Sequence, residues 1–165
     1  ARRLAAAFAA PITSISDGSG GGGKTTFSAV GQSAGVPVLT AELGGGATLS
    51  REGLAVAEQG LRRILKRWGI LPDIEIDSAS PTRFMRVRGR GAFVYTMRKG
   101  LFEPAVDLST VVQAGQLAGL IHAVDRPWQA PEPIAFSEDG MVVCRRAPLL
   151  TVPGDCLYKL LVDVD

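Results

Sequence analysis

The chain has 165 residues, of which 46% are hydrophobic and 21% charged, and its formal net charge is +2. This composition predicts a packed core rather than disorder, in one domain or two small ones. The small net charge and dispersed basic residues argue against a nucleic-acid surface. No apolar run approaches the roughly 20 residues that cross a bilayer, so we expect no membrane partner. Two cysteines, Cys144 and Cys156, in a chain without a signal peptide favour a reducing, cytoplasmic location.

The first part of the chain alternates helix-like and strand-like segments. Residues 2–9 are rich in alanine and predict a short helix, and residues 11–16 predict a strand. After a glycine-rich loop, residues 26–34 predict a second short helix that ends at Gly35, since glycine readily adopts the left-handed conformation after a helix.

A second strand and a longer helix are predicted next. The apolar run at 37–43 predicts a strand, and Ser50 is a plausible N-cap for a helix that Gly69 ends. Leucine, isoleucine and tryptophan recur at helical spacing between these two residues. The alternation predicts an α/β layer with a parallel or mixed sheet, although it supplies too few strands to close a domain.

The remainder of the chain has short β-prone runs separated by Gly, Pro and Asp-Gly turns. These features predict a small all-β domain, a barrel or a sandwich, with domains at 1–77 and 78–165. The predicted strands are 82–87, 91–97, 117–124, 141–144 and 157–164.

One glycine-rich stretch has the letter pattern of a phosphate-binding loop. Gly18 and Gly23 frame it, and Lys24 and Thr25 follow directly. In such loops the backbone amides bind phosphate oxygens, the lysine neutralises charge and the threonine holds magnesium. A run of four glycines also matches this pattern easily by chance. The competing interpretation is a glycine-rich surface loop.

A second glycine-rich site begins with a carboxylate at the end of the predicted strand. Glu42 is followed, after Leu43, by Gly44, Gly45 and Gly46. A carboxylate near a core is costly unless it is paired, metal-linked or functional. We expect semi-buried surroundings that raise the pKa of Glu42 and suit it to general acid–base chemistry. The glycines would let backbone line a pocket, whereas a helix-capping or ion-paired glutamate is the structural alternative.

The segment 35–48 with 53–65 resembles the succinylglutamate desuccinylase/aspartoacylase family of zinc-dependent deacylases. The resemblance continues through 100–108 and 115–119 and ends near 154–157, so it covers most of the chain and corresponds to the C-terminal portion of such an enzyme. It implies part of a carboxypeptidase-like α/β domain followed by an appended β domain.

The resemblance implies that Glu42 is the general base of a hydrolase that cleaves an N-acyl amino acid, a small-molecule partner. It also implies zinc in the full-length enzyme. The zinc ligands of the family are a His-x-x-Glu pair and a further histidine upstream of the glutamate, whereas this chain has one histidine, His122, downstream of it. We therefore expect no metal site in this chain alone, and no activity from it. Missing sheet neighbours would leave apolar surface exposed and favour self-association into a homo-oligomer.

Two other functions stay open at this point. One is a nucleotide-binding module that uses residues 18–25. The other is a non-catalytic β domain that acts as an interaction or carrier module, with Lys99 before Gly100 as the nearest candidate for a modifiable lysine.

Overall fold

The computed structural model describes residues 1–16 and 25–164, which fold as two compact units, Ala1–Met85 and Arg86–Asp165. Together they form a mixed α/β chain, as predicted. Within the described ranges, no helix combines the length and the apolar character that crossing a bilayer requires. The first unit contains α1 (Arg2–Phe8), β1 (Ile12–Ile15), α2 (Phe27–Ser33), α3 (Arg51–Arg67) and most of β2 (Arg83–Arg86).

The longest helix, α3, begins and ends where the sequence predicts. The Ser50 hydroxyl accepts a hydrogen bond from the Gly53 amide at 2.9 Å, which satisfies a free N–H of the first turn. At the other end Gly69 has a φ of 69°, and the Ile70 amide donates to the Leu65 carbonyl at 2.9 Å. This pair of features is a Schellman motif, which needs a left-handed residue and therefore favours glycine.

Helix α1 packs on α3 through a close contact between an aromatic ring of α1 and the backbone of a glycine in α3. The Phe8 ring lies directly on Gly60, where any side chain would collide with it. Arg63 donates from Nη2 and Nε to the Phe8 carbonyl, at 2.7 and 3.2 Å. The guanidinium thereby satisfies a carbonyl at the end of α1 that has no partner within the helix.

The predicted strand at 37–43 is wrong, because this segment pairs with no strand in the described part of the chain. A strand depends on hydrogen bonds to a neighbour, which the local sequence cannot specify. The segment instead begins against α2. The Val36 amide donates to the Gly31 carbonyl at 2.8 Å, and the Val38 side chain occupies the space beside Gly31.

Strands β1 and β2 are neighbours within the first unit. The hydroxyls of Thr13 and Thr82 hydrogen-bond at 2.7 Å, and the Arg83 amide donates to the Pro11 carbonyl at 3.1 Å. Residues 78–85 therefore lie with the first unit, after the predicted boundary at residue 77.

The second unit contains strands in two sheets that are not closed into a barrel, so the barrel alternative is wrong. The strands are β3 (Phe93–Tyr95), β4 (Gly100–Pro104), β5 (Val111–Val112), β6 (Leu117–His122), β7 (Glu132–Ala135), β8 (Gly140–Arg145), β9 (Leu150–Thr151) and β10 (Cys156–Asp163). In one sheet β10 pairs with β3 and β8, and β5 pairs with β8; the order of the other is β7-β6-β4-β9. Of these strands, β3, β6, β8 and β10 were predicted from the sequence and the others were not.

An aromatic cluster joins the two sheets of the second unit. Tyr158 of β10 meets Phe102 of β4 edge to face, with ring centres 5.6 Å apart, and Phe136 lies 5.3 Å away. All three side chains are fully buried, and the Tyr158 hydroxyl donates to the Val106 carbonyl at 3.0 Å. Edge-to-face aromatic pairs add to the stabilisation that apolar burial supplies.

Burial raises the pKa of the Tyr158 phenol above its ordinary value of 10.0. Between the two pKa values, the unfolded chain has released this proton while the folded chain keeps it. We therefore expect the free energy of unfolding to fall as the pH rises above about 10. Chemical denaturation across alkaline pH checks this. Tyr158→Phe should reduce this alkaline loss in the free energy of unfolding. Tyr95→Phe, which alters a half-exposed phenol, is the matched control.

Candidate functional site

Glu42 lies on an exposed segment that links α2 to α3. Its side chain is exposed rather than semi-buried, so the sequence-based expectation of a buried carboxylate is wrong. The reason is the missing strand pairing, because no sheet neighbour in the described residues covers the segment. Among the residues that the structure describes, Glu42 has neither a hydrogen-bond partner nor an ion-pair partner. Its carboxylate oxygens are therefore available to an incoming group.

The three glycines after Glu42 form a tight turn. Gly44 and Gly46 have φ values of 138° and 66°, in a region that L side chains rarely adopt. Gly45 has open space around it, and its carbonyl accepts the Thr48 hydroxyl at 2.9 Å. The turn reverses the chain directly before α3.

The turn holds the segment close to the first turn of α3. A side chain at Gly53 would collide with the backbone of Leu43, and a Cβ at Gly44 would lie 3.1 Å from the Cβ of Ser50. Leu43 is the residue after Glu42, so the backbone beside the carboxylate is fixed against a capped helix. Glu42 and the three glycines thus lie directly before α3, and their role as a site stays a prediction.

The candidate phosphate loop lies almost wholly outside the described residues. Gly18, Gly23 and Lys24 lie outside the described residues, whereas Thr25 is described and exposed. Thr26, the next residue, caps α2 by accepting a hydrogen bond from the Ala29 amide at 3.2 Å. The nucleotide-binding alternative therefore remains a prediction.

The side chains that could ligate a metal are dispersed. No group of three or more His, Cys, Asp or Glu side chains within 1–16 and 25–164 could hold an ion. The Nε2 atom of His122 hydrogen-bonds to Glu103 Oε2 at 2.6 Å, on the partly exposed face of β6. Burial raises the pKa of the Cys156 thiol above its ordinary value of 9.0, which disfavours the thiolate that metals bind.

A cleft in the second unit was not identified from the sequence. Arg98, Lys99 and Arg126 line it together with Glu132. The local signal is weak, because these residues are separated along the chain and only strand pairing brings them together.

Comparisons with known proteins find a deacetylase and several solved structures that are similar to this chain. No protein-family model matches the chain. The chain is 28% identical over 120 residues to an N-alpha-acetyl-L-2,4-diaminobutyric acid deacetylase from Halomonas elongata, covering 72% of this chain and 35% of that protein. The product-bound ectoine utilization protein EutE (DoeB) from Ruegeria pomeroyi is 30% identical with a TM-score of 0.86, over 98% of this chain and 48% of that one.

A second solved structure carries the family name. The succinylglutamate desuccinylase/aspartoacylase from Rhodobacter sphaeroides is 29% identical with a TM-score of 0.84, over 98% of this chain and 48% of that one. The structural neighbours of this chain are therefore proteins of the succinylglutamate desuccinylase/aspartoacylase family, which confirms the resemblance. The chain spans about half the length of these solved relatives, and about a third of the deacetylase.

Proposed function

We propose that this chain is the C-terminal part of an amidohydrolase that removes the acyl group from an N-acyl amino acid, with Glu42 as general base. The observation that carries the proposal is the structural similarity to family members over 98% of the chain, at TM-scores of 0.84 and 0.86. The deacetylase relative supports the same reaction class by its name.

The setting of Glu42 suits a proton carrier. The carboxylate is exposed and unpaired in the described part of the chain, while the adjacent backbone is fixed against α3. As the oxygen of a water molecule bonds to the acyl carbon, Glu42 would accept the proton that the water loses. It would then return that proton to the amine nitrogen when the carbon–nitrogen bond breaks. Such a group contributes typically about 10²–10⁴-fold to the rate.

The described residues do not fit the zinc that the family resemblance implies. Zinc sites in enzymes use three protein ligands, and no such group is found within the described ranges. His122, the one histidine of the chain, is paired with Glu103. We infer that the ligands belong to another part of the enzyme, so this chain alone would bind no zinc and would be inactive.

The apolar surface of the first unit supports completion by further polypeptide. Among its described residues, only Ala5, Phe8 and Met85 are buried apolar side chains. A monomer rarely exposes apolar patches beyond a few hundred Å². The exposed large apolar side chains include Phe27, Val36, Leu49, Leu54, Leu61, Trp68 and Ile70. We propose that the rest of the α/β domain covers them and that the uncovered chain self-associates.

The remaining parts of the proposal concern partners and location. The family resemblance supports a small N-acyl amino acid as the partner, and the net charge of only +2 supports no role for nucleic acid. We propose a cytoplasmic location without a membrane partner.

A chimeric enzyme tests the proposed function. This chain replaces the aligned 48% of the Ruegeria pomeroyi relative. We expect the chimera to release acetate from N-acetyl-2,4-diaminobutyrate, the compound in the name of the Halomonas elongata deacetylase, whereas the chain alone, with added zinc, should not. Circular dichroism and metal content show whether the chimera is folded and loaded. A folded, zinc-loaded but inactive chimera would contradict the proposal, and so would an active, zinc-loaded isolated chain.

A further inference from the structure

The second unit contains a cleft of about 240 Å³ at one end of the sheet β7-β6-β4-β9. Antiparallel pairing brings its residues together, because Leu101 lies opposite His122 and Ile121 lies opposite Glu132. The residues before β4, after β6 and at the start of β7 therefore meet at the same end. Ligand pockets for drug-sized molecules measure about 300–1,000 Å³, so this volume suits a smaller ligand.

The loop 123–131 forms one wall of the cleft and has a defined shape. The Arg126 amide donates to the Ala123 carbonyl at 3.1 Å, and the Gln129 amide donates to the Arg126 carbonyl at 3.0 Å. Two successive turns thus follow β6, and Pro127 and Pro131 restrict the backbone further. A wall fixed in advance lowers the entropic cost of binding a ligand.

Cations exceed carboxylates in the lining. Arg98 already has a carboxylate partner within the cleft, because its Nε donates to Glu132 Oε2 at 2.7 Å. Arg126 has only a long contact with Asp125, at 3.6 Å, and Lys99 has no carboxylate partner among the described residues. Two positive side chains therefore face one small space with their hydrogen-bonding capacity largely unused. Guanidinium groups match the planar geometry of carboxylates and phosphates.

We propose that this cleft binds a small oxyanion, with Arg126 and Lys99 as its main charge partners. Carboxylate and phosphate groups share the required chemistry. Glu132 would act as an internal competitor, because its carboxylate occupies Arg98. The inference rests on the second unit alone and does not depend on the proposed role of Glu42.

Nuclear magnetic resonance titration of the chain at low ionic strength tests the proposal. The probes are inorganic phosphate, glutarate and butyrate, and the signals are the backbone amides of Arg126 and Gln129. We expect saturable shifts with phosphate or glutarate, and the stronger probe identifies the source of the oxyanion. Butyrate should bind more weakly, because it carries a single charge.

Three variants separate binding from general charge effects. Arg126→Gln should weaken binding roughly tenfold, because one charge-assisted contact is lost. Glu132→Gln should strengthen binding about threefold or more by releasing Arg98, an effect that misfolding cannot produce. Arg88→Gln makes the same change of net charge at an exposed site outside the cleft and should leave affinity unchanged.

Several results would overturn the oxyanion site. One is the absence of saturable shifts with all three probes. Another is an equal loss of affinity in Arg126→Gln and Arg88→Gln, which would indicate only non-specific attraction. Unchanged or weaker binding in Glu132→Gln would show that Glu132 does not compete with the oxyanion for Arg98. The cleft geometry on which the proposal depends would then be wrong.

Discussion

Glu42→Gln should lower the rate of amide hydrolysis by the chimeric enzyme about 10²–10⁴-fold, the range expected when a general base is lost. Glutamine keeps the size of the side chain but cannot accept the proton of the attacking water. Because Glu42 is exposed and has no partner among the described residues, the substitution should leave the free energy of unfolding nearly unchanged. The measurement is kcat/KM for N-acetyl-2,4-diaminobutyrate.

The matched control for this substitution is Glu75→Gln, at an exposed position in the segment between α3 and β2. It makes the same chemical change outside the glycine turn and should retain wild-type kcat/KM. Equal zinc content in both variants would show that the loss arises in the proton transfer rather than in metal binding. A fall of less than about tenfold for Glu42→Gln would reject the general-base role.

Gly53→Ala should reduce activity about 10²-fold, because it displaces the backbone beside the proposed base. The added Cβ would collide with the Leu43 backbone, so either that segment or the first turn of α3 must move. A displacement near 1 Å can cost about 10²-fold in rate. The collision should also lower the free energy of unfolding. Helix propensity alone predicts the opposite, since alanine is more favourable than glycine in a helix by about 1 kcal/mol.

Gly45→Ala provides the control for the glycine turn. No atom outside its chain neighbours lies within 4 Å of a Cβ there, and its φ is not in the left-handed region. We expect activity and the urea midpoint to remain close to those of the wild type. If Gly53→Ala and Gly45→Ala behave alike, the contact between Leu43 and α3 has no role in positioning Glu42.

The helices could be predicted from the sequence because their signals are local. Ser50 and Gly69 each act within one turn of α3, and the structure confirms both ends. The strand predicted at 37–43 fails for the opposite reason. Its apolar residues satisfy the local pattern, but a strand needs a hydrogen-bonding neighbour, and the described residues supply none.

The candidate site shows the same division between local and non-local information. That the glycines after Glu42 permit close approach of the backbone could be predicted, since glycine has no Cβ. The turn they form, with positive φ at Gly44 and Gly46, was not predicted. The exposure of Glu42 could not be predicted either, because it depends on what covers the segment. The cleft of the second unit was also missed, since the pairing of β4 with β6 joins Lys99 to residues more than 20 positions away, such as Ala123.

The contact of Phe8 with Gly60 has a consequence for the distribution of stability along the chain. It is one of few buried apolar contacts in the described part of the first unit, whereas the second unit has a continuous hydrophobic core that includes Phe102, Phe136 and Tyr158. Regions with little buried apolar surface open locally at low free energy. Amide hydrogens of α2 and of the Glu42 segment should therefore exchange with solvent through brief local opening. Those of β10 should exchange only when the second unit unfolds, so the first cleavages by a protease should fall near the proposed catalytic residue.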